Sequence, residues 1–108
     1  HAGRAGVCAK ILSKCVLAMK SEPKDLKIII GAHIKGSCYE IGDMNLGEFN
    51  AYKNGGFFDI TAALRAEINA LGAKNYEISE ICSHCDKNYF SYRRDGKTGR
   101  FAGWIIKR

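Results

Sequence analysis

The chain has 108 residues, room for one small domain. Apolar residues make up 46% and charged residues 26%, the balance of a globular chain rather than a disordered one. Seventeen basic residues against eleven acidic ones leave a net charge of +6, which favours anionic partners; the apolar runs are too short for a transmembrane helix, and no segment has the layout of a secretory signal.

The chain opens on His1-Ala2-Gly3-Arg4-Ala5-Gly6, a small-residue turn with no element before it, and reads as the C-terminal part of a larger domain. A first helix is expected over about Arg4 to Met19. Val7, Cys8, Ile11, Leu12, Cys15, Val16 and Met19 recur at spacings of three and four and form an apolar stripe. Gly3 and Gly6 leave amides at its start open to an anion. Pro23 enforces its stop.

Leu26 to Ile30, with three consecutive isoleucines, suggests a strand covered on both faces. It leads into a loop from Gly31 to Cys38, and Tyr39-Glu40-Ile41 is a further short extended piece. Asp43 is placed to cap a helix running to about Tyr52, with Leu46 and Phe49 inward. Asn54-Gly55-Gly56 is turn chemistry. Asp59 caps a second strong helix whose stripe is Ile60, Leu64, Ile68 and Leu71, with Gly72 just past its end. Tyr76 to Ile81 reads as a strand and Cys82 to Asn88 as a loop. Tyr89 to Tyr92 and Arg100 to Ile106 are expected to form a tight strand pair about the Asp95-Gly96 turn. The mixture is α/β or α+β, with helices flanking a mixed sheet.

Four groups of residues have chemistry in reach. His1 lies beside small residues that leave room for a ligand, so its imidazole suits a metal ligand or general base. Cys82-Ser83-His84-Cys85 is the most metal-like string, but a closed site needs two more ligands; His1, His33 and Cys38 are possible completions, and none is demanded by spacing. With Cys8 and Cys15 the cysteines number five, which cannot all pair; reduced thiols in a cytoplasmic protein are the expectation. The third group, Phe90 to Arg100, crowds arginines and aromatics in a pattern suited to an anionic or nucleotide-like ligand. On an extended chain Arg93 and Arg94 point to opposite faces, so at most one of them meets a given ligand. The fourth, Gly31 to Glu40, is a glycine-punctuated loop after a buried strand, with Glu40 as a candidate acid or base.

Taken in order, His1-Ala2-Gly3 with Gly6, then Gly31 and Cys38-Tyr39-Glu40-Ile41-Gly42, Phe58-Asp59-Ile60, Cys82, Cys85-Asp86, Phe90-Ser91-Tyr92-Arg93-Arg94-Asp95-Gly96 and Thr98-Gly99-Arg100 resemble the YfiH/YlmD family. That family has long been labelled multicopper polyphenol oxidase (laccase). Its members are now described as purine nucleoside phosphorylase-like enzymes and, for some, as peptidoglycan editing factors. The resemblance covers essentially the whole chain. It implies a layered α/β/β/α sandwich with a mixed sheet, like the catalytic domain of the cytotoxic necrotizing factors and here incomplete, of which residues 1–108 are the C-terminal part of a single domain. It also implies a His-Cys-His zinc site. Its last histidine maps onto His1; the other two ligands lie upstream of the motif, and none of the five cysteines here takes the place of the missing one. Two departures flank the inferred site: Arg4-Ala5 where the family has Trp-Arg, and Ala32-His33 where it has Pro-Cys.

The function implied is zinc-dependent phosphorylase- or deaminase-like chemistry on a purine nucleoside with phosphate, or editing of a peptidoglycan precursor. His1 is the metal ligand and catalytic residue, and Tyr92 with Arg93 or Arg94 contacts substrate. Several coppers, the older label, are too many for one histidine and a small upstream cluster. Such a chain alone is expected to be inactive. Two other readings stand beside this one: a small basic nucleic-acid-binding module, against which Asp59, Glu67, Glu77 and Glu80 interrupt any basic stripe, and a zinc-ribbon-like domain built on Cys82 and Cys85.

Overall fold

The computed structural model describes residues 1–107 as a mixed α/β fold of short helices and two small sheets. The first helical region is two helices, α1 (Arg4–Cys8) and α2 (Ile11–Met19), not the single expected one. Lys10 between them takes the left-handed conformation, φ 55°, which ends one helix and starts the next. The apolar period runs across the break because both helices pack on the same neighbour. Val7 and Val16 are buried, whereas Ile11 and Met19 stay exposed. With α1 only five residues long, the expected anion site at a long helix start is not built. One orphan amide of α2 is met from outside: the Glu67 carboxylate accepts the Ser13 backbone N–H at 3.0 Å and its hydroxyl as well.

After a 3₁₀ turn at Pro23–Asp25 comes β1 (Lys27–Ile30), which pairs in parallel with β4 (Asn75–Ile78), Lys27 opposite Asn75 and Ile30 opposite Ile78. Ile28 faces inward against Ile68 and Ala73. Ile29 points the other way and is 64% exposed, so the expected cover on both faces is absent: side chains alternate, and the helix carrying Ile68 covers only one side of this two-stranded sheet. Strand β4 ends at Ile78 rather than Ile81, though the extended path continues to a bridge between His33 and Cys82.

The expected helix from Asp43 is instead a 3₁₀ segment, Gly47–Tyr52. Asn45 accepts the Gly47 N–H at 2.9 Å, and Gly47 has φ 63°, a turn that an α-helix cannot run through. Phe49 is buried as expected. A two-stranded hairpin follows, β2 (Lys53–Asn54) and β3 (Phe57–Phe58), around Gly55-Gly56. Helix α3 (Ile60–Leu71) matches its sequence signals: Asp59 accepts the Ala62 N–H at 3.0 Å, and Gly72 closes it at φ 80°. Ile60, Leu64 and Ile68 are buried in its stripe, and the main core gathers Val7, Phe49, Phe58, Ile60, Ala63 and Leu64.

Beyond β4 the expected strand pair does not form. Tyr92–Asp95 is one helical turn, α4, because the Ser91 hydroxyl accepts the Arg94 N–H at 3.3 Å and starts a helix at that point. Residues 100–106 are without regular structure and have no strand partner.

Candidate functional site

An open cleft of about 940 Å³ brings the start of the chain to its last third. It is lined by the His1 turn, by Gly31–Ile34 and by Tyr39, Ser83, Phe90, Tyr92, Arg93 and Thr98–Phe101. The glycines work sterically. The His1 imidazole folds over Gly3, where a Cβ would lie 3.1 Å from Nε2; at Gly99 a Cβ would sit 2.9 Å from the tip of the Phe90 ring, so a larger residue there would displace that ring.

Arg93 is positioned through a chain of contacts that begins in the core. The Phe58 ring, fully buried, packs against Tyr39 with centroids 6.3 Å apart. The Arg93 guanidinium lies over the Tyr39 ring at 4.9 Å and donates from Nη1 to the Glu40 carbonyl. A guanidinium has five N–H donors, so donors remain for an anion in the cleft. Tyr92 is mostly exposed at the rim, and the Arg4 side chain reaches from the cleft to the Met44 sulfur.

Arg94 is not at the cleft. Its Nη1 donates to the carbonyls of Ser83 (3.2 Å), His84 (3.1 Å) and Asp86 (3.2 Å), and Nη2 to that of Tyr89 (2.7 Å). Nε and Nη2 also hold the Asp95 carboxylate at 3.0 and 2.7 Å. The pair keeps the carboxyl of Asp95 below its ordinary range and the guanidinium above its own, the mutual hydrogen bonds being the main cause in both. Arg94 therefore clamps the 82–89 loop, and of the two arginines only Arg93 is free to meet a ligand. Glu40 contributes its carbonyl to Arg93 and a backbone bridge to Phe57; its side chain is not part of the cleft wall.

His33 is also engaged. The Gly31 carbonyl can only accept, so Nδ1 carries the proton and donates at 2.8 Å. Nε2 then accepts from the Thr61 hydroxyl at 2.7 Å and the Lys35 ammonium at 3.2 Å. Burial first, aided by the Lys35 charge, lowers its pKa and keeps the ring neutral. Its lone pair is thus occupied, which leaves none for a metal.

The Cys82-x-x-Cys85 string does acquire a third member, and it is Cys38 rather than His1 or His33. The three sulfurs lie within 4.8 Å of one another, with Cys38 and Cys85 at 3.4 Å. Burial pushes the Cys82 thiol up, but N–H donors from Lys35, Cys85 and His84 and the Cys85 thiol outweigh it and bring it to about 7. Hydrogen bonds with Cys38 and Cys82 push Cys85 up to about 11. Sequence reasoning singled out neither Tyr39 as the platform for Arg93 nor Phe90 against Gly99. Both contacts join residues far apart in the chain, and no local spacing records them.

The family described as multi-copper polyphenol oxidoreductase laccase matches residues 1–108. The chain is 35% identical to a purine nucleoside phosphorylase of Clostridium acetobutylicum, over 100% of this chain and 52% of that protein. It is 30% identical to one of Streptomyces coelicolor (97% and 48%) and 33% identical to one of Campylobacter jejuni (97% and 50%). The chain thus spans about half the length of the curated relatives it matches. Among solved structures, the Neisseria meningitidis protein NMB0706, of the family DUF152, superposes with a TM-score of 0.76 at 25% identity, over 89% of this chain and 45% of that one.

Proposed function

The chain belongs to the multi-copper polyphenol oxidoreductase laccase family over its whole length, and from that premise we propose that it carries the phosphate- and base-binding wall of a purine nucleoside phosphorylase-type centre. The observation that supports this most directly is the sharing of one cleft by His1, Tyr92 and a core-anchored Arg93.

Phosphorolysis replaces the bond from the sugar C1′ to the purine nitrogen by one to a phosphate oxygen. The departing base takes a proton, and sugar phosphate and free purine result. Arg93 neutralises and orients the phosphate as it approaches, and its charge is already held in place by Tyr39 and the Glu40 carbonyl. Exposed aromatic faces at Phe90 and Tyr92 suit a flat purine.

A single imidazole does not make a metal centre; in this reading His1 would be one ligand of a zinc ion, with the others supplied from outside these residues. Zinc bound there would supply Lewis-acid polarisation of an oxygen. The donors do not fit several coppers: of three histidines, His33 is engaged by Gly31, Thr61 and Lys35, and the one metal-competent group among the described residues consists entirely of cysteines. In the same reading residues 1–108 are the C-terminal part of one larger domain that works in the cytoplasm, and the uncovered Ile29 face of β1 is where the rest of that domain packs.

The test is phosphate-dependent release of purine from inosine or adenosine by the full-length protein. Arg93→Ala raises the KM for phosphate by roughly ten- to hundredfold, the loss of a charged hydrogen bond. Arg94→Ala leaves the phosphate KM of the folded fraction unchanged. Equal phosphate KM values for the parent and Arg93→Ala overturn the role of Arg93. Turnover of a cell-wall precursor with no nucleoside turnover transfers the cleft to the editing reaction instead.

A further inference from the structure

We propose that Cys38, Cys82 and Cys85 form a second metal site, separate from the cleft, that binds one zinc ion through three thiolates and leaves a fourth position open to solvent. The three sulfurs lie within 4.8 Å of one another, and Cys38 and Cys85 are 3.4 Å apart. A zinc–sulfur bond of about 2.3 Å makes the sulfur–sulfur edge of a tetrahedron about 3.8 Å, so side-chain adjustments of at most about 1 Å close the site.

The backbone around the thiols is already set. Cys82 is fixed by its bridge to His33, and the Lys35 N–H points at its sulfur from 3.4 Å. The turn that returns Cys85 is closed by the Cys85 and Asp86 amides, which donate to the Cys82 carbonyl at 3.2 and 2.9 Å. Cys38 rides on a turn whose amide donates to the Lys35 carbonyl at 2.9 Å. From the opposite side Arg94 grips the Ser83 and His84 carbonyls between the two cysteines. Amide donors aimed at a ligating sulfur and a fixed loop are what orients metal ligands.

The chemistry is binding alone. Each thiol yields its proton to solvent as its bond to zinc forms, and nothing is oxidised or reduced. Three thiolates on a dication leave one negative charge, and the Lys35 ammonium, which donates to the Ser79 carbonyl beside them, balances it. Cys85 is exposed, so the open coordination position faces water or a ligand arriving from outside. Zinc here would tie the loop after β1 to the loop after β4. It would thereby hold Tyr39, next to Cys38, under Arg93.

Cobalt(II) added to the freshly reduced 108-residue chain, which holds only His1 of the ligands expected at the cleft, tests this. We expect a strong near-ultraviolet thiolate-to-cobalt absorption saturating at one ion per chain. Cys38→Ser, Cys82→Ser and Cys85→Ser each weaken binding by at least about 100-fold, whereas His1→Ala leaves it unchanged, which separates this site from the cleft. Because a serine in these turns can unsettle the fold, the unmutated protein gives a second readout. Zinc slows alkylation of Cys85 by about tenfold or more and leaves the exposed Cys15 at its original rate. Absorption that survives all three serine variants, or equal alkylation of Cys85 with and without zinc, overturns the proposal. So does recovery of a Cys38–Cys85 disulfide from reduced, zinc-treated protein.

Discussion

Adjacent arginines divide two tasks between them. Arg93 rests on Tyr39 and Arg94 grips four carbonyls and a carboxylate. The pair with Asp95 makes stability depend on acid. The folded-state pKa of Asp95 is held below its ordinary value of 3.8, so its contribution is complete above about that pH and is lost as pH falls through the depressed value. Asp95→Asn is therefore expected to melt lower than the parent at pH 7, and the gap in Tm to close as both are taken below pH 3 to 4. A gap that persists unchanged in acid shows that the carboxylate charge is not what holds the loop. The divergence of the two arginine side chains was legible in the sequence, yet the argument for it rested on an extended backbone. The chain forms a helical turn there, and the two side chains still diverge. The local signal for that turn is Ser91, three residues before Arg94, and the aromatic β-propensity of Phe90 and Tyr92 runs against it.

At the scale of elements, the best-read segment is α3, whose cap, stripe and closing glycine all agree with one another. The α1–α2 break was not legible, since hydrophobic period reports which side faces the core and not whether the backbone is continuous. Nor could sequence show that α2, opening on a left-handed lysine with no side-chain cap, borrows its cap from Glu67 on the neighbouring helix. Both caps can be weighed by chemical denaturation. Asp59→Ala and Glu67→Ala are each expected to lower the unfolding free energy by about 1 kcal/mol. The effects should be independent, because Asp59 and Glu67 stand at opposite ends of α3, about 12 Å apart along its axis, and share no partner. An unchanged midpoint for Glu67→Ala would mean that Ser13 finds water instead.

For the whole molecule, the mixed α/β class followed from the succession of helical and β-rich runs, whereas the parallel pairing of β1 with β4 is a tertiary contact that the expectations did not include. The size of the sheet did not follow either, because a buried strand in sequence presumes partners on both sides, and β1 has one. The same shortage of cover extends to the last residues: Trp104 is 81% and Ile105 95% exposed. Trp104 is the one tryptophan of the chain, so it reports on this region alone. Its fluorescence in the 108-residue chain is expected at the wavelength of indole in water and to be fully open to acrylamide. A blue-shifted, protected emission would show that something covers the region. The cleft, by contrast, was legible as three separate stretches, His1, the Gly31–Glu40 loop and Phe90–Arg100, and not as one site. Its floor, Tyr39 on Phe58, exists through tertiary contact.

The pairing of residue 27 with residue 75 also sets a timetable for synthesis. A nascent chain carrying β1 out of the ribosome has nothing to bond it to until β4 emerges, a delay of a few seconds at about 5–20 residues per second. Through that interval Ile28, Ile29 and Ile30 are a bare, aggregation-prone ribbon, and α3, completed just before β4, is the first surface on which they can shelter. A stalled or truncated transcript ending before Ala73 would leave that ribbon permanently unmated, an obvious substrate for chaperones and proteases.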